Sequence, residues 1–161
     1  MQKVVKFGGS SLANSTQFEK VKNIVKSRFE GKTPKAFVHT YGCQGNVADS
    51  EHIKGQLVEM GYKMTEILEE ADIIIYNTCA IREHAEDRVF GNVGALKTLK
   101  KNNKNLVIGL CGCMMQQEHV AEKIKNSYPY VNLVFGTHAL HKLPELLFKV
   151  FKTKKRVFSV E

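Results

Sequence analysis

Four cysteines carry most of the chemistry open to this 161-residue chain: Cys43, Cys79, Cys111 and Cys113. Thiolates bind soft metals and iron–sulfur clusters, and a helix amino end stabilises negative sulfur through its dipole and unpaired N–H groups. A second constellation stands near the start, where Lys6 precedes Gly8 and Gly9. Glycines let backbone N–H groups approach an anion, so a strand, a glycine pair and a lysine could cradle phosphate. A simple turn is the alternative there, since the sequence is not a Walker motif.

The elements that must position the cysteines are legible around each of them. Ile73, Ile74, Ile75 and Tyr76 form a run apolar on both faces, as in a central parallel strand. A turn at Asn77, Thr78 and Cys79 follows. Ala85, Val89, Val93 and Leu96 then recur at helical spacing. Cys79 thus sits where a strand's carboxyl end meets a helix's amino end. Residues 35–42, KAFVHTYG, read as another strand before Cys43, with a helix from about Asn46 to Met60 that turns Ile53 and Leu57 inward. Asn46 and Asp49 suit the role of its caps. Residues 105–110, NLVIGL, read as a third strand, followed by Cys111-Gly-Cys113 and a helix carrying Val120 and Ile124.

Strands joined by right-handed crossovers lie parallel, and their carboxyl ends share one edge, where open α/β sheets bind ligands. Cys43, Cys79 and Cys113 are therefore expected to converge, although 35 and 33 residues separate them. The fold class expected is α/β, an open and mostly parallel sheet with helices on both faces, Rossmann- or flavodoxin-like. Gly61 to Thr65 and 131–136 supply further short strands. A last helix with Leu143, Leu146, Leu147 and Val150 begins near Pro144, ahead of an edge strand at Arg156 to Val160.

Residues 3–28 form a small unit of their own: a strand KVVKF, a tight loop from Gly8 to Ser11, and a helix from Thr16 to Arg28 with Phe18, Val21 and Val25 as its stripe. Residues 30–34, EGKTP, look like a junction. Two segments are accordingly expected, 1–33 and 34–161.

The chain is long enough for one α/β domain with a real core. The opening MQKVVKF lacks the apolar segment of a secretory signal, and no apolar run reaches the roughly 20 residues of a membrane span. Four scattered cysteines suit a reducing compartment, and the cytoplasm is the expected location. The net charge of +8 is uneven: seven Lys or Arg face two acidic residues in 1–34, whereas the remainder holds 17 basic and 14 acidic residues. Charge alone does not make nucleic acid a partner. Lys97, Lys100, Lys101 and Lys104 read as cations at a helix carboxyl end, and the densest patch is Lys149, Lys152, Lys154, Lys155 and Arg156.

Three thiolates in one pocket repel unless a cation or a cluster sits between them; three separate buried cysteines acting as small apolar fillers are the alternative. Structural zinc generally shows a pair spaced by two to four residues. Cys111-Gly-Cys113 is tighter than that, and Cys43 and Cys79 have no neighbouring Cys or His. The residues favour a [4Fe–4S] cluster over zinc without deciding between them.

The words HTYGCQGNVADSE, YNTCAIREHAEDRVFGNVGALK and GLCGCMMQQE resemble the three cysteine motifs in the amino-terminal domain of tRNA methylthiotransferases, over about residues 35–161. Thr-Tyr-Gly-Cys-Gln and Ile-Arg-Glu-His-Ala-Glu are most like the branch that acts on isopentenylated adenosine beside the anticodon. The resemblance implies an auxiliary [4Fe–4S] cluster on Cys43, Cys79 and Cys113, with Cys111 extra and with Gln44, Asn46 and Asn77 shaping the loops. It also implies tRNA as substrate. Gly45 stands where that branch has methionine. The family's radical S-adenosylmethionine domain, with its CxxxCxxC motif, and its RNA-binding domain are not in these residues, so a truncated fragment or fusion, inactive alone, is expected. S-adenosylmethionine would belong to the full-length enzyme only.

The segment VVKFGGSSLANSTQFEKVKNIV separately resembles the start of aspartate kinases, where the KFGG lysine contacts nucleotide phosphate. No later motif of that family follows. The alternatives to a cluster domain are therefore a non-catalytic α/β binding module, a zinc module and, further off, a nucleotide-binding aspartate kinase fragment.

Overall fold

A computed structural model describes the backbone of residues 8–41, 44–79 and 85–160, with side chains except at 8–15, 44–46 and 85–86. Among the described residues, six strands form one sheet: β1 (Lys35–Thr40), β2 (Lys63–Met64), β3 (Ile73–Thr78), β4 (Val107–Gly112), β5 (Leu133–Phe135) and β6 (Val157–Ser159). Their order is β2-β1-β3-β4-β5-β6, and every pairing is parallel. The expected open α/β sheet is thus borne out. Its strand order reverses between β1 and β3, the flavodoxin-like switch point at which such sheets take ligands.

Helices cover both faces, as a sheet without a polar side requires. The helices are α1 (Gly8–Arg28), α2 (Gln44–Glu59), α3 (Ala85–Asn102), α4 (Glu118–Ser127) and α5 (Leu143–Thr153). One layer joins Val21 and Val25 of α1, Ile53 and Leu57 of α2, and Leu143, Leu147 and Phe151 of α5 to Ile73, Ile75, Cys111 and Phe135. The opposite layer joins Val89, Val93 and Leu96 of α3 and Val120 and Ile124 of α4 to Ile74, Tyr76, Ile108 and Leu110. Alternate residues of β3 and β4 therefore serve different layers, and both strands are buried throughout. Each fully buried Ile contributes about 1.5–3 kcal/mol, so this central pair anchors the domain.

Several boundaries differ from the sequence reading. α1 begins at Gly8, so the loop expected from Gly8 to Ser11 is helical. A first turn has unpaired N–H groups in any case, which makes it a tolerant place for glycines. The rest of α1 is fixed where Phe18, Val21 and Val25 pack on the core, with Lys20 over Phe148 and Arg28 over Phe151. α2 starts at Gln44, which places Asn46 and Asp49 within the helix rather than at its cap. β4 runs through Cys111 and Gly112, two residues further than expected, and β3 extends through Asn77 and Thr78. The strand expected at KVVKF lies outside the described residues.

Arg156 is the second correction of substance. Read as part of a basic surface patch, it instead donates to Val131 O, Lys125 O, Ile124 O and Tyr128 O at 2.8–3.1 Å. It thereby adds a charged donor to the carboxyl end of α4 and the turn into β5, where the Ile124 and Tyr128 carbonyls already accept from the Tyr128 and Val131 N–H groups. Among the described residues, no helix is long and apolar enough to cross a membrane.

Candidate metal centre

Strand register decides which cysteines meet. Thr40 pairs with Asn77, Asn77 with Cys111, and Thr78 with Gly112. Cys79 and Cys113 each follow one residue after the paired Thr78 and Gly112, so they leave the sheet at the same level on neighbouring strands. Such strands lie about 4.8 Å apart. Cys79 is buried and Cys113 half-buried, at the carboxyl edge.

Cys43 lies outside the described residues, as does the side chain of Gln44 and of Asn46. Tyr41, two residues before Cys43, belongs to the same edge: its N–H donates to Asn77 O at 2.8 Å. Among the described residues, no three His, Cys, Asp or Glu side chains gather as a metal site. Of the glycine-rich start, Gly8 and Gly9 are in the first turn of α1 and Lys6 lies outside the described residues.

Cys111 belongs elsewhere. It is fully buried in the layer with Phe135 and Ala139, and burial, with a smaller contribution from the Asp49 carboxylate, pushes its thiol well above the ordinary range. A thiol that resists ionisation is a filler rather than a ligand.

What separates the two neighbours is Gly112, with φ 108° and ψ 178°. A Cβ there would stand 2.2 Å from Thr78 O and 2.9 Å from Asn77 Oδ1. No side chain fits, and the positive φ disfavours every L residue. This glycine lets β4 close onto β3 where the two thiol-bearing turns begin. Thr78 Oγ1 ties the same point by donating to Cys111 O at 2.7 Å.

A buried polar chain lies below. Asn77 Nδ2 donates to Ser50 Oγ at 3.0 Å, and the Ser50 and Thr40 hydroxyls share a 2.6 Å bond. Ser50 and Asn77 are 1% and 0% exposed, so these bonds replace water completely and join α2 to both strands of the switch point. On the opposite face, the rings of His39, Tyr41 and Tyr76 meet edge-on. Asn92 of α3 donates to Tyr41 Oη at 2.6 Å. Burial holds His39 below its usual pKa, aided by the Arg88 guanidinium, and raises the phenols of Tyr41 and Tyr76.

Sequence reasoning found Asn77 but missed Ser50, Gly112, Tyr41 and Asn92. The glycine between two cysteines was the available signal for Gly112. Ser50 gave none, because its partners are 10 and 27 residues away.

The chain is 51% identical over 150 residues to the tRNA-2-methylthio-N(6)-dimethylallyladenosine synthase of Caldicellulosiruptor saccharolyticus, covering 90% of this chain and 32% of the relative. It is 55% identical over 130 residues to the protein of that name from Alkaliphilus oremlandii, covering 81% and 28%. For the Clostridium beijerinckii protein the figures are 57% over 114 residues, 71% and 25%. The chain thus spans about a third or less of the length of these curated relatives. The resemblance to tRNA methylthiotransferases read from the cysteine motifs is borne out. A family model described as "Uncharacterized protein family UPF0004" matches residues 35–136, from the first residue of β1 to just past β5, and the chain belongs to that family.

Proposed function

We propose that this domain holds an auxiliary [4Fe–4S] cluster on Cys43, Cys79 and Cys113 and serves a tRNA methylthiotransferase. The observation that carries the reading is the register that brings Cys79 and Cys113 off the neighbouring strands β3 and β4 at the same level, next to the switch point between β1 and β3. Cys43 would join them from the loop between Tyr41 and α2, on the other strand of that switch point. The donor set fits a cluster: soft sulfur at one rim, with Cys111 withdrawn into the core.

When bound, a cluster held by three protein thiolates would supply one iron open to the sulfur that the reaction transfers. The chain's own part is positional. Gly112 lets the turns of Cys79 and Cys113 approach each other, while Ser50 and Asn77 lock α2 to the ends of β1 and β3. Gln44 and Asn46, in the first turn of α2, would shape the loop of Cys43 together with Asn77. The buried rings of Tyr41 and Tyr76 would keep water from the floor. The half-exposed Cys113 leaves one side of the rim open to a partner.

The substrate would be tRNA carrying isopentenylated adenosine, as the relatives' names indicate for those proteins. Radical chemistry with S-adenosylmethionine, and most RNA contact, would come from further domains in a full-length enzyme of the reducing cytoplasm.

Anaerobic reconstitution tests the reading. About four iron and four sulfide per chain are expected, with loss of both in Cys43→Ala, Cys79→Ala and Cys113→Ala but not in Cys111→Ala. Stoichiometric zinc without sulfide would replace the cluster with a zinc module. No metal, together with unchanged melting in all three variants, would leave a plain α/β binding domain.

A further inference from the structure

The end of the molecule opposite the cysteine rim holds a cavity of about 250 Å³. It opens where α1, α3 and α5 finish and β4 and β5 begin. Arg28, Lys100, Lys104 and Lys154 line it, over an apolar floor that includes Val107 and Phe151. Among the described residues, no Asp or Glu lines it.

Helix carboxyl ends attract cations, so the charge needs weighing. Each of three helix ends supplies roughly half a negative charge, and four cations exceed that sum by more than two charges. The surplus is concentrated in a concave site, where low-dielectric walls strengthen the field.

Two of the cations are held in place. Arg28 Nη2 donates to Asn105 Oδ1 at 3.3 Å, and the guanidinium lies over the Phe151 ring at 5.1 Å. Lys100 Nζ donates to Asn132 Oδ1 at 2.9 Å and also to Leu106 O. Asn132 Oδ1 is itself fixed by the Ile108 N–H at 2.9 Å. Burial, with repulsion from Arg28, depresses the Lys100 ammonium to about 8. An anion would relieve that repulsion. The space is several times the ~30 Å³ share of one water, enough for a tetrahedral oxyanion and part of what it is attached to.

We infer that this cavity is a phosphate-binding site, with Arg28 as its directional donor and Lys100, Lys104 and Lys154 as its charge. Arginine's planar fork suits phosphate oxygens, and lysines supply point charges around it. The phosphate has two possible sources, a small phosphate ester or the backbone of an RNA. The site does not depend on the cluster.

The test is calorimetric titration of the 161-residue chain with inorganic phosphate and, separately, with an anticodon stem-loop RNA. Arg28→Gln and Lys104→Gln are compared with Lys142→Gln, which lies away from the cavity. One-site phosphate binding, weakened about tenfold or more by the first two and unchanged by the third, is expected for a small ester. Absence of phosphate binding, with RNA binding weakened about tenfold by the same two variants only, assigns the site to a phosphodiester. The proposal is overturned if neither probe distinguishes the cavity variants from Lys142→Gln. Chemical-shift perturbation of the Asn105 and Asn132 amides reports the site directly, so a variant that fails to fold does not decide the matter.

Discussion

Gly112 and Cys111 give the sharpest outcomes for single residues. In Gly112→Ala the new methyl collides with backbone rather than with a yielding side chain, at a φ of 108°. A loss of about 3 kcal/mol or more is expected, read by urea denaturation, together with failure to retain iron. Cys111→Ser places a hydroxyl in an apolar layer and costs about 1–3 kcal/mol, while iron and sulfide contents hold. Cys113→Ser is expected to reverse the pattern, with little change in stability but loss of the iron and sulfide that the proposed cluster would bring on reconstitution. These residues also mark what the sequence could convey. The thiols declared themselves by type and by their place between strand and helix. That Cys111 turns inward was hidden, because it depends on where β4 ends, and that is set by closure against Thr78.

Helices and their ends carry the next set of outcomes. In α3, Gly94 is exposed and a Cβ there would meet nothing within 4 Å. Gly94→Ala is therefore expected to stabilise the protein by about 0.5–1 kcal/mol in thermal or urea melts, through helix propensity alone. Arg156→Ala works the other way. It strips the carbonyls of Ile124, Lys125, Tyr128 and Val131 of a charged donor and should cost about 2–3 kcal/mol. Faster amide exchange in α4 and at the start of β5 would locate the effect. Core stripes such as Val89, Val93 and Leu96 were legible because periodicity is local. Arg156 was not, since an arginine within a run of lysines looks solvated until a distant helix end is brought beside it. The same holds for the start of α1, where local glycine chemistry suggested a loop and the backbone is helical from Gly8.

For the molecule as a whole, the two ends of the sheet differ in character: sulfur at the carboxyl edge, cations at the amino edge. The latter predicts a pH dependence. Lys100 titrates near 8 in the folded protein against 10.5 ordinarily. Between those values the unfolded chain binds more protons than the folded one, so stability rises with pH across this window. Below about 8 both states are protonated and the contribution is flat. Lys100→Met should remove the rise, as seen in urea midpoints at pH 7.5, 9 and 10. The all-parallel topology itself is what hydrophobic patterning reported best, because a strand buried on both faces must be covered by helices on both. That topology also governs how quickly the chain finds its shape. Among the described residues, no two hydrogen-bonded strands are joined by a tight hairpin, and most pairings must wait for an intervening crossover to collapse. The kinetic bottleneck therefore falls on the connecting segments, and a stopped-flow refolding rate should respond to a strengthened α3 more than to a strengthened β6.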